Sequence, residues 1–189
     1  MTYRSFAIDP GLTTTGWSVM EDGHVWVDAG LLKPQPRTGA VGVRIDSLCE
    51  QLYRLLDDWK PVDVVIEVTS GHVNKGRHKG AGAGLGIYGM AVGELHRQCK
   101  WWASLHSHGQ CYPQVHRIEE NLWTARRPKM ESRNGKVSRV DLARGLFGQY
   151  DPAQDPGGDL ADALMLNCWF QSQRKLQILE ALKYRPDGQ

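Results

Sequence analysis

Ser5-Phe6-Ala7-Ile8-Asp9-Pro10-Gly11 is a short apolar run that closes on an acid and then turns. So short a run reads as a strand, and Pro-Gly supplies the turn. Thr15-Gly16-Trp17-Ser18-Val19-Met20 reads as a second strand, Glu21-Asp22-Gly23 as a turn, and His24 to Leu32 as a third strand. Three consecutive strands on short connections predict an antiparallel meander. Downstream the period changes: Ile45, Leu48, Leu52, Leu55 and Leu56 fall at helical spacing between about Val43 and Trp59. Pro61 then breaks the chain, and Val62 to Val68 reads as a buried strand.

The remainder is less sharply patterned. Ser70 to Gly86 holds six glycines, three Lys or Arg and two histidines, and is expected to be a mobile loop followed by a helix through about Gln98. A weakly signalled strand is expected near His108 to Tyr112, a short helix from Gln114 to Trp123, and a basic loop from Thr124 to Gly135. Lys136 to Phe147 reads as a helix, Asp151 to Gly158 as a Pro/Gly-rich connector, and Asp159 opens a helix reaching about Tyr184. No repeat or linker interrupts the chain. Strands first, then helices alternating with single strands, predict one mixed α/β domain over residues 1–189.

Composition narrows the class. Of 189 residues, 41% are hydrophobic and 23% charged, ordinary for a globular chain and unlike a disordered one. Cys49, Cys99, Cys111 and Cys168 form no C-x-x-C pair, which argues against a zinc knuckle and for reduced thiols in the cytoplasm. Neither a signal peptide nor an apolar run of membrane-spanning length is expected. The net charge of +2 hides a segregation: residues 68–145 carry 13 Lys and Arg against 5 Asp and Glu. A basic middle suits a polyanion such as nucleic acid, although a solvated surface could segregate charge in the same way.

Glu67 interrupts Val64-Val65-Ile66-Glu67-Val68. An ionised carboxylate in an apolar strand is costly unless a cation meets it; the plainer alternatives are a strand-end Glu or a partner for a buried Arg. Asp9 ends the first strand and could simply form the turn. Asp159 and Asp162 lie three apart on one helical face, and after Pro156-Gly157-Gly158 they also resemble a helix cap. Taken together, the four acids make an oxygen-rich set suited to Mg²⁺ or Mn²⁺. Two such ions can clamp the attacking and leaving oxygens of a phosphoryl transfer.

Phe6-Ala7-Ile8-Asp9-Pro10-Gly11 with Thr15-Gly16-Trp17, Val65-Ile66-Glu67, and Asp159-Leu160-Ala161-Asp162-Ala163-Leu164 together resemble the three acidic blocks of RuvC-type Holliday-junction resolvases, in the family's order and at roughly its spacing. The resemblance implies a ribonuclease-H-like α/β fold with a mixed five-stranded sheet flanked by helices. It also implies a homodimer, two Mg²⁺ per site with Mn²⁺ as substitute, and paired nicks in four-way DNA that leave 5′-phosphate and 3′-hydroxyl ends. Asp9 would bridge the metals, and Glu67, Asp162 and Asp159 would complete their shells. His116, Arg117 and Lys136 fall where members place basic residues near DNA. Lys75, Arg77, Lys79, Arg126, Arg127 and Lys129 add a basic track for phosphates, with Lys136 at its end. Many bacterial members carry a wedge Phe after the strand glutamate; here Val68-Thr69-Ser70 has no aromatic, leaving His72 or Tyr88 as substitutes. A phage-type or divergent resolvase in a bacterial cell or phage-infected host is consistent with that departure.

Three other functions compete. The same fold can cut RNA–DNA hybrids or flaps. Asp9 to Thr15 also resembles the phosphate loop of actin-like kinases and ATPases, which need a second domain. A junction-binding protein without catalysis is the third, disfavoured because all four acidic positions are filled.

Overall fold

The structure is a computed structural model that describes residues 2–22, 25–68, 81–107, 113–124 and 135–183; of 81–85, 135–138 and 181–183 only the backbone is described. β1 (Arg4–Asp9), β2 (Thr15–Glu21) and β3 (Val25–Leu32) form the expected meander. α1 (Val41–Trp59) leads to β4 (Asp63–Val68), which lies parallel to β1. α2 (Ala81–Leu105) crosses back, and β5 (Gln114–Glu119) joins β4 in parallel. α3 (Glu120–Thr124), α4 (Gly135–Leu146) and α5 (Asp159–Lys183) follow. The sheet has five strands in the order β3-β2-β1-β4-β5, the mixed five-stranded arrangement that the resemblance implies.

Alternation along the strands builds two apolar layers. Phe6, Ile8, Val64 and Ile66 face α1 and α2, packing with Leu48, Leu52, Leu56, Leu95, Cys99 and Trp102. On the other face, Ala7 and Val65 meet Leu166 and Phe170 of α5, and Met20 meets Leu160 and Leu164. Asp9 and Glu67 share the parity of Ala7 and Val65, so both belong to the α5 face.

A buried polar network fixes how α5 sits there. Ser5 Oγ donates to Asn167 Oδ1. Asn167 Nδ2 donates to Ser18 O and Ser18 Oγ, each at 3.1 Å. Ser18 Oγ donates to Ala163 O at 2.9 Å, and Gln171 Nε2 donates to Ser5 Oγ at 2.9 Å. A buried polar group left unpaired is expensive, so rotating or sliding α5 would break several such bonds at once.

Two expectations are corrected. Gln114 to Trp123 is not a helix: β5 occupies Gln114–Glu119, and only Glu120–Thr124 is helical. Val115, Ile118 and Leu122 happen to fall at helical spacing, but pairing along the open edge of β4 decides the conformation. The stretch after Gly80 is not loop to Gly86, because α2 already begins at Ala81 and runs on to Leu105. Burial of Ala91, Leu95, Cys99 and Trp102 outweighs the helix-weakening glycines. The strand expected at 108–112, the loop at 69–80 and most of the basic loop at 125–134 lie outside the described residues. Among the described residues Cys49, Cys99 and Cys168 are free thiols, and no helix is long and apolar enough to cross a membrane.

Candidate active site

β1 and β4 run in register through Ile8 and Ile66, so the next residue along each strand is an acid: Asp9 beside Glu67. α5 brings its first turn to the same place because Gly16, opposite Asp9 in β2, has no side chain. A Cβ at Gly16 would stand 2.0 Å from the carbonyl oxygen of Asp159. The bare glycine is therefore what lets the N-terminus of α5 lie against β2. Gly11 works similarly in the Pro10–Thr14 turn, where a Cβ would stand 2.1 Å from Thr14 O. Thr15 Oγ1 donates to Gly11 O at 2.8 Å, closing that turn, and Thr14 Oγ1 donates to Asp159 Oδ2.

Asp159 and Asp162 are not the helix cap that their spacing suggests. Asp155 caps α5: its carboxylate accepts from the backbone N–H of Leu160 at 3.1 Å and Ala161 at 2.9 Å, and from Tyr150 Oη at 2.8 Å. Asp155 is only 2% exposed, a structural acid rather than the simple loop residue that the sequence suggests. With those N–H groups satisfied, the acids on α5 face the site: Asp159 toward Thr14, Asp162 toward Arg139. Arg139 Nη1 of α4 lies 2.8 Å from Asp162 Oδ2.

The charges crowd one another. Burial raises Asp9 well above the usual carboxylate range, and the negative charges of Glu67, Asp162 and Asp159 raise it further; Arg139 pulls it back. Glu67 is pushed up to about 8, by burial first and then by Asp162 and Glu120, against the opposing effects of Arg139 and Trp123. Glu67 Oε2 is buried with no hydrogen-bond partner among the described residues. An all-oxygen donor set carrying excess negative charge and an orphaned carboxylate oxygen fits a hard divalent cation. As they stand, however, no three His, Cys, Asp or Glu among the described residues are placed to hold one ion together. The structure gathers the four acids into one charged cluster without drawing three of them to a common point.

The basic candidates divide. Arg117 is exposed and lines a cavity of about 240 Å³ with Val68, Tyr88, Val92 and His96. Burial and the charges of Glu67, Asp9 and Glu120 hold the Tyr88 phenol above the usual range. His116 is placed elsewhere: its Nε2 shares a 2.7 Å hydrogen bond with Asp63 Oδ1, toward the end of β4 away from Glu67, and its ring packs on Phe170. Lys136 lies in the first turn of α4, its side chain outside the described residues, as are Lys75, Arg77, Lys79, Arg126, Arg127 and Lys129. Sequence reasoning missed Arg139, Thr14 and the capping role of Asp155. Of these, only Asp155 left a signal, two residues before the Gly157-Gly158 pair.

An acid pair at the ends of adjacent parallel strands is faced by acids in the first turn of α5, on a five-stranded mixed sheet. Known proteins similar to this chain are of the RuvC type. RuvC crossover junction endodeoxyribonucleases from two Bradyrhizobium strains, BTAi1 and ORS 278, are each 36% identical over 75 residues, which is 38% of this chain. The match spans 41% of the length of those relatives. RuvC of Thermus thermophilus, solved in complex with Holliday junction substrate, superposes with a TM-score of 0.60 at 16% identity, covering 92% of this chain and 96% of that one. The yeast mitochondrial Holliday junction resolvase Ydc2 gives 0.61 at 14% identity, covering 93% and 81%. No family model matches. The fold is that of RuvC-type resolvases, and part of the sequence is similar to theirs.

Proposed function

We propose that this chain is a divalent-metal-dependent, structure-selective DNA endonuclease that resolves four-way junctions by paired symmetric nicks. The observation that carries the reading is the cluster of Asp9, Glu67, Asp159 and Asp162 on a RuvC-type fold. Asp9, Glu67 and Asp162 would hold Mg²⁺ or Mn²⁺, with Asp159, steadied by Thr14, completing the shell. The bound cation supplies Lewis acidity and a water of lowered pKa. The chain's own residues bring the strand acids and helix acids to one end of the sheet, and its basic segments hold the phosphodiester that the acids alone would repel. In the reaction, water oxygen bonds to phosphorus and the P–O3′ bond breaks, leaving a 5′-phosphate and a 3′-hydroxyl. Paired nicks across a two-fold junction need two sites facing opposite strands, so the working form is a homodimer.

The test is incubation with an end-labelled synthetic four-way junction, alongside an RNA–DNA hybrid and a flap. Symmetric junction nicks with Mg²⁺ or Mn²⁺, binding without cleavage in Ca²⁺, and a dimer by mass measurement are expected. Preferential hybrid or flap cutting by a monomer would replace the reading, and 3′-phosphate ends would sink the mechanism.

A further inference from the structure

We propose that Arg139 is a built-in counter-ion that holds Asp162 while the site has no divalent cation and competes with that cation for it. The inference rests on the metal-binding reading above and deepens it. Arg139 reaches the acids from α4, a different element from any that carries them. Its side chain is 14% exposed and that of Asp162 is 9% exposed, with Nη1 and Oδ2 2.8 Å apart. A pair this deeply placed is costly to break, because each charge is left without solvent to replace its partner.

The reach of Arg139 extends beyond one contact. Its charge also opposes the accumulated negative charge on Asp9 and on Glu67. One guanidinium therefore stands opposite three carboxylates on three other elements. Guanidinium stays charged at any ordinary pH, so it cannot step aside by losing a proton; a cation that takes Asp162 must displace it. The freed planar fork, beside the acids and still charged, is then suited to a substrate phosphate.

The experiment is calorimetric titration of Mn²⁺, without DNA, into wild type, Arg139→Gln, Arg139→Lys and Asp162→Asn, with melting curves in the presence and absence of Mn²⁺. Arg139→Gln should bind Mn²⁺ about tenfold more tightly, as expected when one charge-assisted hydrogen bond no longer competes. It should also melt lower than wild type without metal and gain more from Mn²⁺. Unchanged or weaker affinity would overturn the inference and leave Arg139 as a residue that merely orients Asp162. Should Arg139→Gln not fold without metal, Arg139→Lys, which keeps the charge but loses the fork, decides: tighter binding than wild type supports competition, equal or weaker binding ends it. Wild type that binds while Asp162→Asn does not keeps the metal site whatever Arg139 does. Failure of wild type and both Arg139 variants to bind Mn²⁺ removes the metal site and this inference together.

Discussion

At the scale of single residues, the informative feature is charge where the pattern calls for apolar surface. Asp9 and Glu67 are legible because each interrupts or ends a run of buried residues, and the structure places both where the strands' register leads. Glu67→Gln keeps the shape of the side chain and removes the anionic oxygen. Junction cleavage is expected to fall by several kcal/mol of transition-state stabilisation, a loss of about a thousandfold or more, while junction binding persists. Nicking at the wild-type rate in a single-turnover gel assay would remove Glu67 from the site. Arg139 is not legible, because nothing in Lys136-Val137-Ser138-Arg139 distinguishes a cation aimed inward from one in solvent. Its role depends on α4 packing beside α5 through Ala143 and, just past the helix end, Phe147, a tertiary fact that no local pattern encodes.

At the scale of elements, periodicity finds the meander, α1, β4, α4 and α5, and fails where another force outweighs it. β5 is misread because its apolar residues mimic a helical repeat while its partner strand sets the conformation. The start of α2 is misread because glycines argue locally for a loop while burial argues for a helix. α5 is the element on which the site most depends, and its first turn hangs on Asp155. Asp155→Ala leaves the N–H groups of Leu160 and Ala161 and the hydroxyl of Tyr150 without their acceptor. A loss of about 1–2 kcal/mol is expected in urea denaturation, together with weaker Mn²⁺ binding, because the acids of α5 lose their fixed starting point. Stability equal to wild type would show that the helix is capped in some other way.

At the scale of the molecule, the two ends of the sheet carry opposite electrostatic designs. At one end carboxylates crowd together. At the other, Asp63 is surrounded by donors: Tyr3 Oη at 2.7 Å, His116 Nε2 at 2.7 Å and the Arg174 guanidinium at 3.6 Å. Burial alone would raise Asp63, but hydrogen bonds from His116 and Tyr3 and the nearby positive charges carry it below its usual value. A carboxylate lowered in the folded state stabilises above its unfolded pKa and loses that contribution as pH falls through the folded one. Asp63→Asn should therefore melt well below wild type at pH 7, and the gap should narrow below about pH 4. A gap constant across that range would assign the effect to packing.

The proposed DNA track belongs to the same scale. Its charge asymmetry is readable from composition alone, but the segments that carry most of it lie outside the described residues. Replacing Lys75, Arg77 and Lys79 together by Ala is expected to weaken junction affinity and to flatten its logarithmic salt dependence by roughly 0.9 for each DNA phosphate no longer neutralised. An unchanged slope would leave that loop to solvent and transfer the track to Arg117 and the segment from Arg126 to Lys136.

The cap at Asp155 has a consequence for heredity. Because a separate acid secures the helix, the acids beside it are spared that structural duty. A single base change turns an aspartate codon into an asparagine codon, so, on the proposed function, a chain that keeps its fold and its DNA contacts but loses cleavage lies one mutational step away at Asp9. Such a chain would not be a silent loss. On that reading such a chain would occupy junctions without resolving them, so selection on Asp9 would act through obstruction as well as through absence.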